Sequence, residues 1–205
     1  MKTFTRNVYK VILIGAMCFI SMSSYSQAFQ EGKSSVSAGY GFGNFIQSIF
    51  NTYNNYDDFS LRIMGPMFGK YEYAISDNMG IGINFAYAGA KVTYKDNNYT
   101  VPNGDVFEES INWTTYSILG RFNVHFGDHD IIDPYWGVGM GYRTAKWEYT
   151  NNDPTYVNNA SISSIMPFGF ETTFGINFMF APSFGAYAEV GIAKAIFQVG
   201  LTGRF

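Results

Sequence analysis

The chain has 205 residues, a formal net charge of −3 and a single cysteine, Cys18. An acidic balance disfavours nucleic acid as a partner, and one cysteine rules out a disulfide framework or a thiolate metal cluster. Aromatic residues reach 19% while charged residues are only 14%, well below the quarter typical of soluble domains.

The N-terminus has the layout of an export signal. Lys2, Arg6 and Lys10 precede an apolar run from Val11 to Ile20, and Ser24-Tyr25-Ser26 offers small residues before Gln27. Ten apolar residues are too few for a membrane helix, so 1–26 is expected to be a signal peptide removed on export. Met17 stands before Cys18 where a lipidation site needs a small residue, so no lipid anchor is expected. The remaining chain, 27–205, suits one domain. It has no apolar stretch long enough for a spanning helix, and the mean hydropathy of the whole chain is −0.05. An aromatic-rich membrane protein without helices must close its backbone hydrogen bonds between strands.

From Ser34 onward apolar and polar residues alternate with period two, which predicts strands. The first is expected over Ser34 to Gly43, the second over Ser60 to Ile75, the third over Gly80 to Tyr94. In the fourth, Tyr116, Ile118, Phe122, Val124 and Phe126 alternate with Thr115, Ser117, Arg121, Asn123 and His125. In the fifth, Trp136, Val138, Met140 and Tyr142 alternate with Gly137, Gly139, Gly141 and Arg143. The sixth sets Phe168, Phe170, Phe174, Ile176 and Phe178 against Gly169, Glu171, Thr173, Gly175 and Asn177. The seventh runs over Phe184 to Ile192. The last sets Phe197, Val199, Leu201 and Phe205 against Gln198, Gly200, Thr202 and Arg204. Pro66 and Pro167 remove ladder donors, so a bulge or break is expected at each.

The connections alternate in length. Asn44 to Phe59, Lys95 to Glu108 and Thr150 to Ala160 are long. Those at Ser76-Asp77-Asn78, Gly127 to Asp133 and Ala181-Pro182-Ser183 are short. An even strand count with tight turns at one rim and longer loops at the other is the build of a transmembrane barrel. The final connection, Ala193-Lys194, is shorter than this alternation demands. The expected fold is all-β, an eight-stranded antiparallel up-and-down transmembrane β-barrel.

Volume decides which face looks outward. The apolar face carries on the order of 30 bulky side chains, whereas a comparable eight-stranded barrel core holds about a dozen. They cannot fit inside, so they face lipid. Tyr73, Phe126, Trp136, Phe178 and Phe205 are expected to form the girdle beside the short turns. Phe42, Tyr87, Tyr116, Tyr142 and Phe168 lie nearer the long loops. The lumen then inherits Arg62, Lys70, Glu72, Arg121, Arg143, Glu171, Glu189 and Arg204. Charges there must pair, with Tyr187 and Asn177 as further hydrogen-bonding groups. An eight-stranded barrel is just wide enough for side chains to fill it, which favours a plug; the alternative is a narrow channel for small solutes or ions.

Four segments resemble the small OmpA/OmpX-type outer-membrane barrels, in particular the stand-alone barrel-domain proteins of Bacteroidetes. They are Gly69-Lys70-Tyr71-Glu72-Tyr73, the run from Pro134 to Tyr142, Tyr187-Ala188-Glu189-Val190-Gly191, and the terminal Gln198 to Phe205. The resemblance implies the bacterial outer membrane, with its lipid and lipopolysaccharide as surroundings, and a monomer. It also implies that Gln198, Gly200 and Phe205 form a signal for the barrel-assembly machinery, from which Gly203 departs, since a bulky residue is usual there. No peptidoglycan-binding domain is expected after Phe205.

Other motifs carry less. The glycines of Gly39 to Gly43 and Gly137 to Gly141 open no helix, so they are read as small inward positions and not as a phosphate loop. His125 falls inside the barrel, and His129 lies among Asp128, Asp130 and Asp133, read as a solvated turn and not a metal site. Both histidines map to the short-turn rim, away from where a lipid A-modifying Ser/His/acid set would act, so neither enzymatic activity nor a cofactor is expected. The long connections, rich in Asn, Asp and Tyr, suit either simple solvation or contact with a host or cell-surface ligand.

Overall fold

A computed structural model describes residues 29–43, 58–127, 129–155 and 160–205. The segment 1–26 lies outside the described residues, as do 44–57, Asp128 and 156–159. Nine strand segments follow one another: β1 (Ser34–Phe42), β2 (Phe59–Ser76), β3 (Met79–Thr100), β4 (Val106–His125), β5 (Ile132–Asn151), β6 (Ala160–Ser163), β7 (Phe168–Ala181), β8 (Phe184–Ile192) and β9 (Phe197–Arg204).

Eight of these close a ring of antiparallel neighbours, β1-β2-β3-β4-β5-β7-β8-β9 and back to β1. The closing ladder runs from Ser35 opposite Arg204 to Phe42 opposite Phe197. Ser34 and Phe205 exchange both backbone hydrogen bonds beyond it, at 2.8 and 2.9 Å. The ring therefore has no free edge, the condition for backbone in a hydrocarbon layer. β6 is a short extension of the sixth wall. It pairs with Lys146 to Tyr149 of β5, and the break before β7 falls at Pro167, which has no N–H to give.

The second proline has the larger consequence. Between Met64 and Met67, β2 spends one more residue than β3 does between Tyr87 and Gly89. Gly65, at φ +82°, makes the turn that admits the extra residue. An inserted residue exchanges the two faces. Below the bulge Phe68, Lys70 and Glu72 point inward; above it Ile63 does, and Arg62 is turned outward and exposed. Arg62 is thus not a lumen residue, because the period-two count from Lys70 does not survive Pro66.

The walls differ in height. β2 to β5 are 18 to 22 residues long, whereas β1, β8 and β9 have only 8 or 9. The short Ala193-Lys194 connection joins the two lowest neighbouring walls, so it has no height to climb. On the tall side, β3 and β4 continue as a paired hairpin to Thr100 and Val106, with Lys95 and Glu108 in an ion pair at 3.0 Å. The loop expected over 95–108 is therefore confined to the tip.

Outward side chains are large and apolar around the whole ring. Ile83, Phe85, Ile118, Phe122, Met140, Phe174, Val190 and Leu201 are all exposed. A soluble monomer rarely shows an apolar patch beyond a few hundred Å²; here it is a continuous belt. Tyr73, Phe126, Trp136, Phe178 and Phe205 are exposed beside the short turns, and Phe42, Tyr116, Tyr142 and Phe168 nearer the other end. The Tyr116 and Tyr142 rings are 5.9 Å apart.

Candidate functional site

The inward face is small and polar, and its glycines leave room for a few long charged side chains. At Gly137 a Cβ would collide with the Arg121 guanidinium, and at Gly175 with the Tyr135 ring. Two connected clusters fill the lumen.

The central cluster is built on Glu189 of β8. Its carboxylate accepts from Lys70 Nζ (β2) at 2.7 Å, from Arg121 Nη2 (β4) at 2.7 Å and from Tyr135 OH (β5) at 2.6 Å. Arg121 also reaches Glu171 of β7 at 3.3 Å and donates to Thr173 Oγ1 at 2.8 Å and Asn123 Oδ1 at 2.7 Å. Asn84 of β3 donates to both oxygens of Glu171, at 2.9 and 2.8 Å. Six walls are thereby tied across the axis. Burying these ions is costly, and charge-assisted hydrogen bonds from several sides are what make it tolerable.

The second cluster lies at the short-turn end. His125 lies between two carboxylates, Asp133 at 2.7 Å from Nδ1 and Glu72 at 3.0 Å from Nε2. Glu72 also accepts from Asn123 at 2.7 Å. Asp133 Oδ2 accepts from Arg204 at 2.6 Å and from Asn177 at 3.0 Å. Phe29, just ahead of β1, stacks on the His125 ring with centroids 3.5 Å apart. Neither ring nitrogen is left free to act as a general base.

Of the charges expected in the lumen, Lys70, Glu72, Arg121, Glu171, Glu189 and Arg204 are brought into these clusters. Arg143 faces inward but, among the described residues, forms no ion pair; its Nη2 reaches the Phe170 carbonyl at 3.4 Å. Arg62 is on the opposite face. Asn177 contributes as expected. The Tyr187 hydroxyl has no hydrogen-bond partner among the described residues, and its ring instead lies 4.4 Å from Lys70 Nζ.

Asp133 corrects the solvated-turn reading. It is fully buried within β5, on the inward face that the alternation from Arg143 through Gly137 and Tyr135 leads to. Extending that alternation two steps would have found both Tyr135 and Asp133. Asn84 and Lys194 carried no comparable signal.

The three residues expected to form the assembly signal separate by face. Gln198 is inward and 1% exposed, Gly200 pairs with Gly39 and Tyr187, and Phe205 is outward at the rim. At Gly203 a Cβ would meet nothing closer than 3.8 Å, so packing does not demand glycine there.

Comparison with curated proteins gives no match. Among solved structures, the chain is similar to Ail, the attachment invasion locus protein of Yersinia pestis, at 17% identity and a TM-score of 0.49, over 86% of this chain and 100% of that one. It is also similar to the N-terminal β-barrel domain of Pseudomonas aeruginosa OprF, at 16% identity and a TM-score of 0.41, over 86% and 98%. The family model for the outer membrane protein beta-barrel domain matches residues 12–205. A closed ring of eight strands with an apolar belt outside and paired charges within is what that description requires, and the chain belongs to this family of bacterial outer-membrane barrels.

Proposed function

We propose that the protein is a sealed outer-membrane barrel that works through its surface, as a structural or interaction protein, and not as a conduit. One observation carries this reading. The cavity between Ser37, Lys70, Glu72, Arg121 and Glu189, at the level of the central cluster, measures about 20 Å³, room for one water molecule. Lys70, Arg121, Glu171, Glu189 and Arg204 act together in this reading as a plug, and Arg143 extends the lumen charge toward the long-connection end. The test is single-channel recording in planar bilayers. The refolded protein is expected to give no steady conductance steps; reproducible steps would replace the plug with a narrow channel.

The signal peptide 1–26 brings the chain to the periplasm, where Gln198, Gly200 and Phe205 present it to the barrel-assembly machinery. The chain then stands as a monomer among lipid and lipopolysaccharide, with its long connections outside the cell. Contact with lipopolysaccharide is supported by the outward Arg62, cross-strand from the equally exposed Lys91. The pair lies beyond the Tyr87, Tyr116 and Tyr142 level, where headgroup phosphates begin. The loops are the surface offered to host or cell-surface ligands, and the described part of them is well tied: Asp153 accepts from Tyr99 OH at 2.9 Å and from the Thr155 amide at 2.8 Å. The Thr155 hydroxyl, first of all, holds the Asp153 carboxyl below its ordinary range.

A further inference from the structure

Two cations of the lumen are left over from the ion-pair clusters, and both lie at the long-connection end. Arg143 projects inward from β5, opposite Ser117 of β4. Among the described residues its Nη2 reaches the Phe170 carbonyl, and its Nε is buried without a hydrogen-bond partner. Lys194 comes from the low β8–β9 turn, which folds into the barrel. Its neighbour Ala195 is buried against Phe68 and Ala86 and occupies the space in front of Gly41. Lys194 Nζ then crosses to β4 and donates to Thr115 Oγ1 at 3.0 Å.

Thr115 and Ser117 are two residues apart on the inward face of β4, so neighbouring positions receive a cation from each side of the mouth. Neither cation has a carboxylate within ion-pair distance among the described residues. Burial and then the Arg143 charge push the Lys194 ammonium down to about 7. Two like charges gathered beside hydroxyl groups contrast with the clusters below, where every cation meets an acid in direct contact; the Glu171 carboxylate acts on Arg143 only from beyond ion-pair distance. Among the described residues both side chains are only partly covered.

We propose that Arg143 and Lys194, with the Ser117 hydroxyl, form a binding site for a small tetrahedral oxyanion, phosphate or sulfate, at the outer mouth of the barrel. The guanidinium fork takes two oxygens of such an anion, the ammonium a third, and the Ser117 hydroxyl donates to what remains; the Thr115 hydroxyl gives its own proton to the Thr144 carbonyl at 2.7 Å and holds the ammonium in place. The anion is either free or the terminal group of an extracellular glycan. This site is independent of whether the lumen below it conducts.

The test is a calorimetric titration of the refolded, micelle-bound protein with inorganic sulfate and with inorganic phosphate, against chloride as a screening control. Nitrogen-15 shifts of the Arg143 and Lys194 side chains report where the anion lies in the unmodified protein. Saturable binding is expected, with both side-chain signals moving. Arg143→Met and Lys194→Met should each weaken binding about tenfold, while Lys91→Met on the outer face should not. Tighter binding of a sulfated or phosphorylated monosaccharide than of the bare ion would assign the site to a glycan; the reverse order would assign it to the free ion. The absence of saturable binding beyond that of chloride would overturn the site, as would binding that leaves both nitrogen signals in place.

Discussion

Replacing Arg121 with methionine is expected to destabilise the folded barrel by about 3–5 kcal/mol, the usual cost of leaving a buried charge without its partner. Arg121 touches both Glu171 and Glu189 and donates to Thr173 and Asn123. Without it, Glu189 retains Lys70 and Tyr135, but Glu171 keeps only the neutral Asn84 amide. The loss should therefore be read mainly at Glu171. Urea unfolding in lipid vesicles measures it, and a double-mutant cycle with Glu171→Gln locates it. The double variant should recover a large part of the loss. If the two changes simply add, the carboxylate is not what Arg121 stabilises.

The second large effect belongs to the outer face. Ile83 is 53% exposed and sits midway along β3 between the outward Met79 and Tyr87. Ile83→Arg is expected to cost about 2–4 kcal/mol in a bilayer, whereas an arginine near the interface costs about 0–1. Tyr73→Arg, beside a short turn, serves as that shallow control. A cost at Ile83 no greater than at Tyr73 would mean that Ile83 does not face hydrocarbon. The chain itself follows this depth rule. Its outward cations Arg62 and Lys91 are placed beyond the Tyr87 and Tyr116 level, and none is present among Ile81, Ile83, Phe85, Ile118 and Phe122.

Alternation made the walls legible because each strand has one lipid face and one lumen face, so a greasy residue at every second position leaves few other arrangements. The same rule found Lys70, Arg121, Glu171, Glu189 and Arg204 on a common face. It failed at Arg62 because a bulge shifts parity without changing composition: Pro66 announced an irregularity, but not the direction in which the strand leaves it. It also stopped short at Asp133. An acidic residue next to His129 and Asp130 looks like part of a turn until the neighbours that bury it, Arg204 and Asn177, are brought in from distant strands. The reach of β3 and β4 past the membrane was hidden for a different reason. Above the lipid both faces of a hairpin meet water, so residues such as Lys95, Asp96 and Asn97 carry no period to read. Lys194 belongs to a turn whose inward fold depends on the unequal heights of the walls, a property of the whole ring.

The central claim is that bulky apolar side chains touch lipid while the polar face is sealed inside. Nuclear Overhauser contacts between lipid acyl chains and side-chain methyls in nanodiscs test it most directly. The account predicts strong contacts from Ile81, Ile83 and Ile118, and none from Leu119, which sits next to Ile118 in the chain but is 0% exposed. Acyl contacts at Leu119 with silence at Ile83 and Ile118 would show the strand faces reversed, and with them the barrel as described here.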